Sequence, residues 1–390
     1  MGGDAASARD QYAALLPVME RALGPAHPST LVLRTCLIDW TEAAGGTTGM
    51  LDRHSELLPL FTEVRGASHP DTLAVALNVA RSIGTAGNET SARDQCARLL
   101  PVFEQVLGPE HRHTLTLRSE LAKWTAAAGD RDAALDLSEE LLPDLERVLG
   151  LHDEVTLACW DHVAGWIGES GDPGNARALC VELVGVRERV LGAEHPDTLR
   201  ARERLARWTG AAGDPAGERD LDVQLLPAMN RVLGSEHPLT LTLRCNLASA
   251  TARAGDPATA RDMQAEVLPV LERGWGPEHP DVIGLRHNLA TTIGRAGDET
   301  IARDQCAALI PVFERVLGPE HPRTLHLRLD LSTWTGVAGD ANAAARQCAV
   351  LLPLAERVLG ADHPISLAVR DSRDTWRSRW RPRLRGGRLL

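Results

Sequence analysis

The chain has 390 residues, with 42 basic against 53 acidic side chains and a formal net charge of -11 at neutral pH. That balance disfavours a polyanion-binding role, because phosphate contact depends on surplus lysine and arginine. Hydrophobic residues at 43% and charged residues at 24% describe a folded chain rather than a disordered one. No apolar run approaches the roughly 18 residues of a membrane span, and the opening MGGDAASARDQ lacks the basic-then-apolar layout of a secretion signal. A cytoplasmic protein with no membrane partner is expected, its 7 cysteines reduced and unbridged. Lys123 is the sole lysine, a composition expected of a GC-rich, bacterial source.

From the N-terminus the first element is an apolar-periodic stretch between Gly3 and Gly24. From Gly24 onward the chain repeats itself. The phrase around LGPEHPDTL returns with its glycine at Gly24, Gly66, Gly108, Gly150, Gly192, Gly234, Gly276, Gly318 and Gly360, always 42 residues apart. Histidines follow three residues later in every copy except one, where Asp153 stands. All three phenylalanines, Phe61, Phe103 and Phe313, share a column, and six of the nine tryptophans, including Trp124, Trp208, Trp334 and Trp376, share another. Chance would scatter such sparse residues, so the register is real.

Within each unit two helices are legible. Helix A opens at a His-Pro step, with proline at the first helical position, where its missing N-H costs nothing, and closes near a second glycine column, as at Gly45. Helix B starts after an aspartate, as in Asp172-Pro173, Asp214-Pro215 and Asp256-Pro257, and carries one apolar stripe, Ala92, Cys96, Leu99, Leu100, Phe103, Val106 and Leu107 in one copy. A proline interrupts nearly every helix B, for example Pro101 and Pro269, and predicts a repeated bend. A unit of this size cannot bury its apolar face alone, so the units are expected to stack into one elongated array.

These residues resemble the tetratricopeptide repeat in its long, 42-residue form, the kinesin-light-chain-like type. The Leu-Ala pair of helix A, as Leu121-Ala122 and Leu289-Ala290, and the small residue early in helix B, as Ala92 and Ala302, carry the likeness together with the Gly-x-x-His-Pro junction. The resemblance implies an all-α, right-handed superhelix of about eight to nine two-helix repeats. The expected domain covers 1–376, starting at a helix B and ending in a helix A, with a disordered basic tail over 377–390. A half-unit at Gly3 predicts a longer array, a homo-oligomer or an upstream domain docking at that end.

Simpler roles are assigned to the regular columns. Neighbouring histidines lie about 20 Å apart, two helix diameters, so they share no metal and serve instead as helix starts. The column Cys96, Cys180, Cys306 and Cys348 reads as buried small residues. Arginines such as Arg34 and Arg286 face a glutamate column including Glu20 and Glu272, which predicts an inter-helix ion-pair ladder.

Function is expected where side chains vary on a constant frame. The resemblance places that surface on helix A, where it comprises Asn78, Lys123, Asp161, His162, Glu203, Arg204, Arg207, Asn246, His287, Asn288 and Arg295. Asn78, Asn246 and Asn288 share a column, and a carboxamide both donates to and accepts from a peptide backbone. With no phosphate loop, HExxH, CxxC or GxSxG motif, the chain reads as a non-enzymatic scaffold that binds a peptide or protein segment in a concave groove. It is expected to need no cofactor or metal, and to bind no specific nucleic acid. The alternative is a sensor or assembly module associated with a nucleotide-binding signalling ATPase.

Overall fold

The computed structural model describes residues 2–46 and 49–379, so residues 380–390, most of the expected basic tail, lie outside it. Eighteen helices and no strand are found among the described residues. They fall into two compact units, one ending at Val190 and the other starting at Leu191. The first holds α1 (Gly2–Leu23), α2 (Pro28–Ala43), α3 (Met50–Arg65), α4 (Pro70–Thr85), α5 (Glu89–Val106), α6 (Arg112–Ala127), α7 (Arg131–Val148), α8 (Glu154–Glu169) and α9 (Pro173–Leu191), whose last residue opens the second unit. The second continues with α10 (Pro196–Ala211), α11 (Pro215–Val232), α12 (Pro238–Arg253), α13 (Pro257–Trp275), α14 (Pro280–Arg295), α15 (Glu299–Val316), α16 (Pro322–Val337), α17 (Ala341–Leu359) and α18 (Pro364–Arg379). Even-numbered helices are helix A and odd-numbered ones helix B. Each helix B that carries the proline runs unbroken through it, and α9 has Gly185 in its place.

The histidine column starts the helices through its ring nitrogen. Nδ1 of His69, His237 and His321 accepts the backbone N-H two residues on, at 3.1, 3.2 and 3.1 Å. Asp153 does the same through Oδ1, at 2.9 Å from the Val155 nitrogen. One otherwise orphaned donor of the first turn is thereby satisfied. Replacing His237 by Ala is therefore expected to cost about 1 kcal/mol in urea unfolding, while His237→Asp keeps the acceptor and leaves stability near wild type; equal losses for both would refute the capping role.

Helix A ends in a glycine with positive φ. At Gly129, φ is 105°, and the chain turns so that the Asp130 nitrogen reaches the Thr125 carbonyl at 3.1 Å. Asp130 then caps α7 by accepting from the Ala133 nitrogen at 3.1 Å. A Gly-Asp step thus closes one helix and opens the next, which fixes the hairpin and leaves no room for insertions.

Within each unit a solenoid of helix pairs forms. Consecutive helices pack together from α1 to α8 and from α10 to α18, and helix A elements also touch the next helix A, as α12 with α14 and α14 with α16. The core is aliphatic with a few rings: Phe61, Phe103 and Phe313 are at most 1% exposed. Threonines that stand where the long repeat often has an aromatic are satisfied internally. Thr125, Thr251 and Thr335 donate to the carbonyl four residues back at 2.7 Å, so their hydroxyls cost little in a packed layer.

The tryptophan column packs between repeats. A Cβ added to Gly84 would collide with the Trp124 ring, one on Gly294 would lie 2.7 Å from Trp334, and one on Gly336 2.6 Å from Trp376. The indole of one helix A therefore fills a glycine notch in the helix A before it. The ion-pair ladder is also present, with Arg34 to Glu20 at 2.6 Å and Arg286 to Glu272 and Arg328 to Glu314 at 2.7 Å. Where Trp160 replaces the arginine, its indole N-H donates to Glu146 at 3.1 Å, so the irregular copy keeps the contact with a different donor. A second ladder, not predicted from the columns, ties the ends of several B helices to the turn that precedes helix A in the same repeat, with Arg147 to Glu110 at 2.8 Å and Arg357 to Glu320 at 2.6 Å.

Burial holds the thiols protonated. Cys96 and Cys306 are pushed up to about 12 and Cys159 to about 11, burial being the main cause. All seven cysteines are free.

Candidate functional site

In the second unit, α12, α14 and α16 line a groove of about 650 Å³, floored by side chains of the intervening helices, Gln264, Trp275 and Phe313. That volume lies in the range of ligand sites. Three of the residues expected at a binding face, His287, Asn288 and Arg295, line it. His287 is 8% exposed and stands edge-on to the Phe313 ring. Its Nε2 lies 2.7 Å from Asp330 Oδ2, and His326 flanks the same carboxylate oxygen at 3.9 Å. Asn288 and Arg295 are exposed.

The groove exists because the tryptophan column fails there. Ala250 and Thr292 occupy two successive tryptophan positions, so the wall between helix A layers loses two indoles in a row. Trp334, the next member of the column, forms the far side.

The remaining expected residues are held in other ways. Asn246 donates to Glu203 at 2.9 Å, and burial raises the Glu203 carboxyl above its ordinary range, opposed by Arg207 and Arg204. Arg207 lies over the Trp208 ring at 4.6 Å. In the first unit, Lys123 pairs with Glu120 at 3.2 Å and covers the Trp124 ring at 4.2 Å. Asp161 is buried and sits 3.5 Å from Arg187, His162 stacks on Trp166 with ring centroids 5.6 Å apart, and Asn78 is half-buried. Among the described residues no cluster of three His, Cys, Asp or Glu could hold a metal ion, and no helix is long and apolar enough to cross a membrane.

Beside the groove lies a buried acidic group that sequence reasoning missed. Glu218 and Asp222 on α11 are 4% and 1% exposed, and Arg253 at the end of α12 binds the Glu218 carboxylate. Burial first, then the charges of Glu218 and Glu203, push the Asp222 carboxyl up to about 8. Burial likewise raises Glu218, whose bond to Arg253 opposes the shift. The available signal was a gap: Glu218 interrupts the column of small residues, and Asp222 stands in the cysteine column.

The sequence profile of the tetratricopeptide repeat matches residues 114–154, 156–197, 240–281 and 282–323. No curated protein sequence matches the chain. Among solved structures, a putative kinesin light chain of nearly identical TPR-like repeats from Podosopora anserina is 25% identical, covering 53% of this chain and 98% of its own, with a TM-score of 0.47. The apo form of the quorum sensor NprR from B. thuringiensis is 11% identical, covering 90% of this chain and 99% of its own, with a TM-score of 0.59. A signal transduction ATPase with numerous domains and a tetratricopeptide repeat sensor, from Pyrococcus horikoshii, is 10% identical, covering 94% of this chain and 56% of its own, with a TM-score of 0.53. The last two share the fold.

Proposed function

From the premise that this chain is a tetratricopeptide-repeat protein of the 42-residue, kinesin-light-chain-like type, we propose that it is a non-enzymatic interaction scaffold holding an extended peptide or protein segment in the groove between α12, α14 and α16. The observation that carries this reading is the groove itself, opened by two missing tryptophans and furnished with Asn288, Thr291, His287 and Arg295. Arg323 reaches over Gly284 at one end, its Nη1 3.9 Å from where a Cβ would lie, and Arg295 stands eleven residues further along α14. At 1.5 Å per residue that spans about 16 Å, the length of about five extended residues. Side-chain carboxamide and hydroxyl groups along it suit a backbone that must both donate and accept.

The experiment is a random peptide display library selected on the full chain, with the enriched peptides titrated against two variants. Asn288→Ala removes a polar contact. Thr292→Trp restores the column residue, in a setting like that of Trp166, which faces alanine, Ala126, at the notch position. Both variants should fold, and Thr292→Trp should abolish binding. Peptides bound equally by wild type and Thr292→Trp would remove the groove from consideration.

The Pyrococcus horikoshii protein, in which repeats of this fold serve as the sensor of a signal transduction ATPase, motivates a second reading of this chain as a sensor or assembly module. A groove that enriches no peptide would favour it.

A further inference from the structure

Of the three gaps in the tryptophan column, the successive pair at Ala250 and Thr292 shares a second feature that the gap at Ser82, followed by Thr85, lacks. Three residues after Ala250 and Thr292, on the same helix face, stand Arg253 and Arg295, whereas Trp124, Trp208 and Trp334 are followed at that spacing by Ala127, Ala211 and Val337; the arginine that follows Trp376, Arg379, lies over that ring at 5.2 Å instead. At Ala250 the chain fills its own notch. The Glu218 carboxylate lies where a Cβ on Gly210 would collide with it, and Arg253 is its counter-ion. One repeat later the acids are gone and the arginine is kept. Cys245, Ala260 and Gln264 occupy the positions of Glu203, Glu218 and Asp222, and Arg295 has no ion-pair partner among the described residues. The notch beside Ala252 opens into the groove. Gln264 lines that opening, 1% exposed and with its side-chain oxygen unpartnered.

Resting on the reading of the groove as a peptide site, we propose that this opening receives the side-chain carboxylate of a glutamate in the bound segment, which pairs with Arg295 as Glu218 pairs with Arg253. The chain supplies its own template for the contact. Removing three carboxyl groups while keeping the guanidinium leaves a cationic notch that an anion completes. The methyl of Ala252, where the preceding repeat has Gly210, fills the deepest part, so a carboxylate arriving from the groove sits nearer the exposed Arg295. Of the groove's own aspartates, Asp330 is held by His287, and neither Asp330 nor Asp281 pairs with Arg295 among the described residues. Turning the Gln264 amide over presents its NH2 to the same anion.

The test uses peptides selected on the full chain, each remade with its glutamate changed to glutamine. Wild type should lose about tenfold in affinity, the worth of one charge-assisted pair, and the Arg295→Gln variant should not distinguish the two peptides. A ligand-free arm rebuilds the filled notch in place, as Ala252→Gly combined with Ala260→Glu. This double variant should fold, bind the selected peptides about tenfold more weakly, and lose stability when Arg295→Gln is added. Groove-binding peptides indifferent to the Glu-to-Gln change would overturn the carboxylate contact and leave the groove reading standing. A rebuilt glutamate equally costly with and without Arg295 would overturn the contact independently of any peptide. Failure to enrich any peptide that Thr292→Trp blocks would remove both.

Discussion

Asp222→Asn is expected to stabilise the protein at pH 8 and to leave it unchanged near pH 4. The carboxyl is 1% exposed, with the charges of Glu218 and Glu203 raising its proton affinity and Arg253 opposing them, while Arg207 and Arg204 on α10 act on Glu203. Its affinity for a proton is pushed up from 3.8 to about 8. Between those values the folded chain keeps a proton that the unfolded chain releases, so stability falls as pH rises through the window and the full cost is present above it. One unit of pKa is worth about 1.4 kcal/mol, so the gain from the uncharged amide at pH 8 should be roughly 2–5 kcal/mol. Glu218 and Glu203 are raised in the same direction and remain, so the pH profile should flatten without becoming level. Urea unfolding at pH 4, 6 and 8 checks this, and parallel profiles for the two proteins would show that Asp222 is not the buried proton carrier.

Trp124→Ala should cost about 3–5 kcal/mol, the usual range for a large buried ring. Gly84→Ala should cost about 1–3 kcal/mol through overlap with the same ring, even though a glycine-to-alanine change inside a helix ordinarily gains about 1 kcal/mol. The informative quantity is their combination. With the indole removed, the methyl at 84 meets open space, so the double variant should be more stable than the sum of the single losses by about 0.5–3 kcal/mol. Thermal or chemical denaturation of the four proteins in the cycle measures that coupling. Strict additivity would mean that the tryptophan and the glycine notch do not specify each other.

The same pairing explains how far the sequence could be read. Unit length, both helices and their ends follow from local rules, because a His-Pro start, a Gly-Asp turn and a one-sided apolar stripe act within a few residues of themselves. Histidine capping was legible for that reason, and the arginine-glutamate ladder, whose partners lie 14 residues apart, because both residues recur in regular columns. Of the expected binding residues, His287, Asn288 and Arg295 come together in one groove, whereas Asn246 turns aside to Glu203 and Asp161 lies buried beside Arg187. Column membership gives the face of a helix. It does not give the partner across the next one.

The period, the all-α class and the places where a column breaks are legible without any structure, among them Ser82, Ala250 and Thr292 among the tryptophans, Glu218 among the small residues and Asp222 among the cysteines. The consequence of a break depends on packing across repeats. Two missing indoles produce one notch filled by Glu218 and another left open beside Ala252, because burial, charge and steric fit are set by side chains about forty residues apart that local periodicity does not connect. The same distance in sequence separates His287 from Asp330 and Asn246 from Glu203. Those contacts exist only once consecutive helix A elements lie side by side, and there the chain acquires both its buried proton and its open groove.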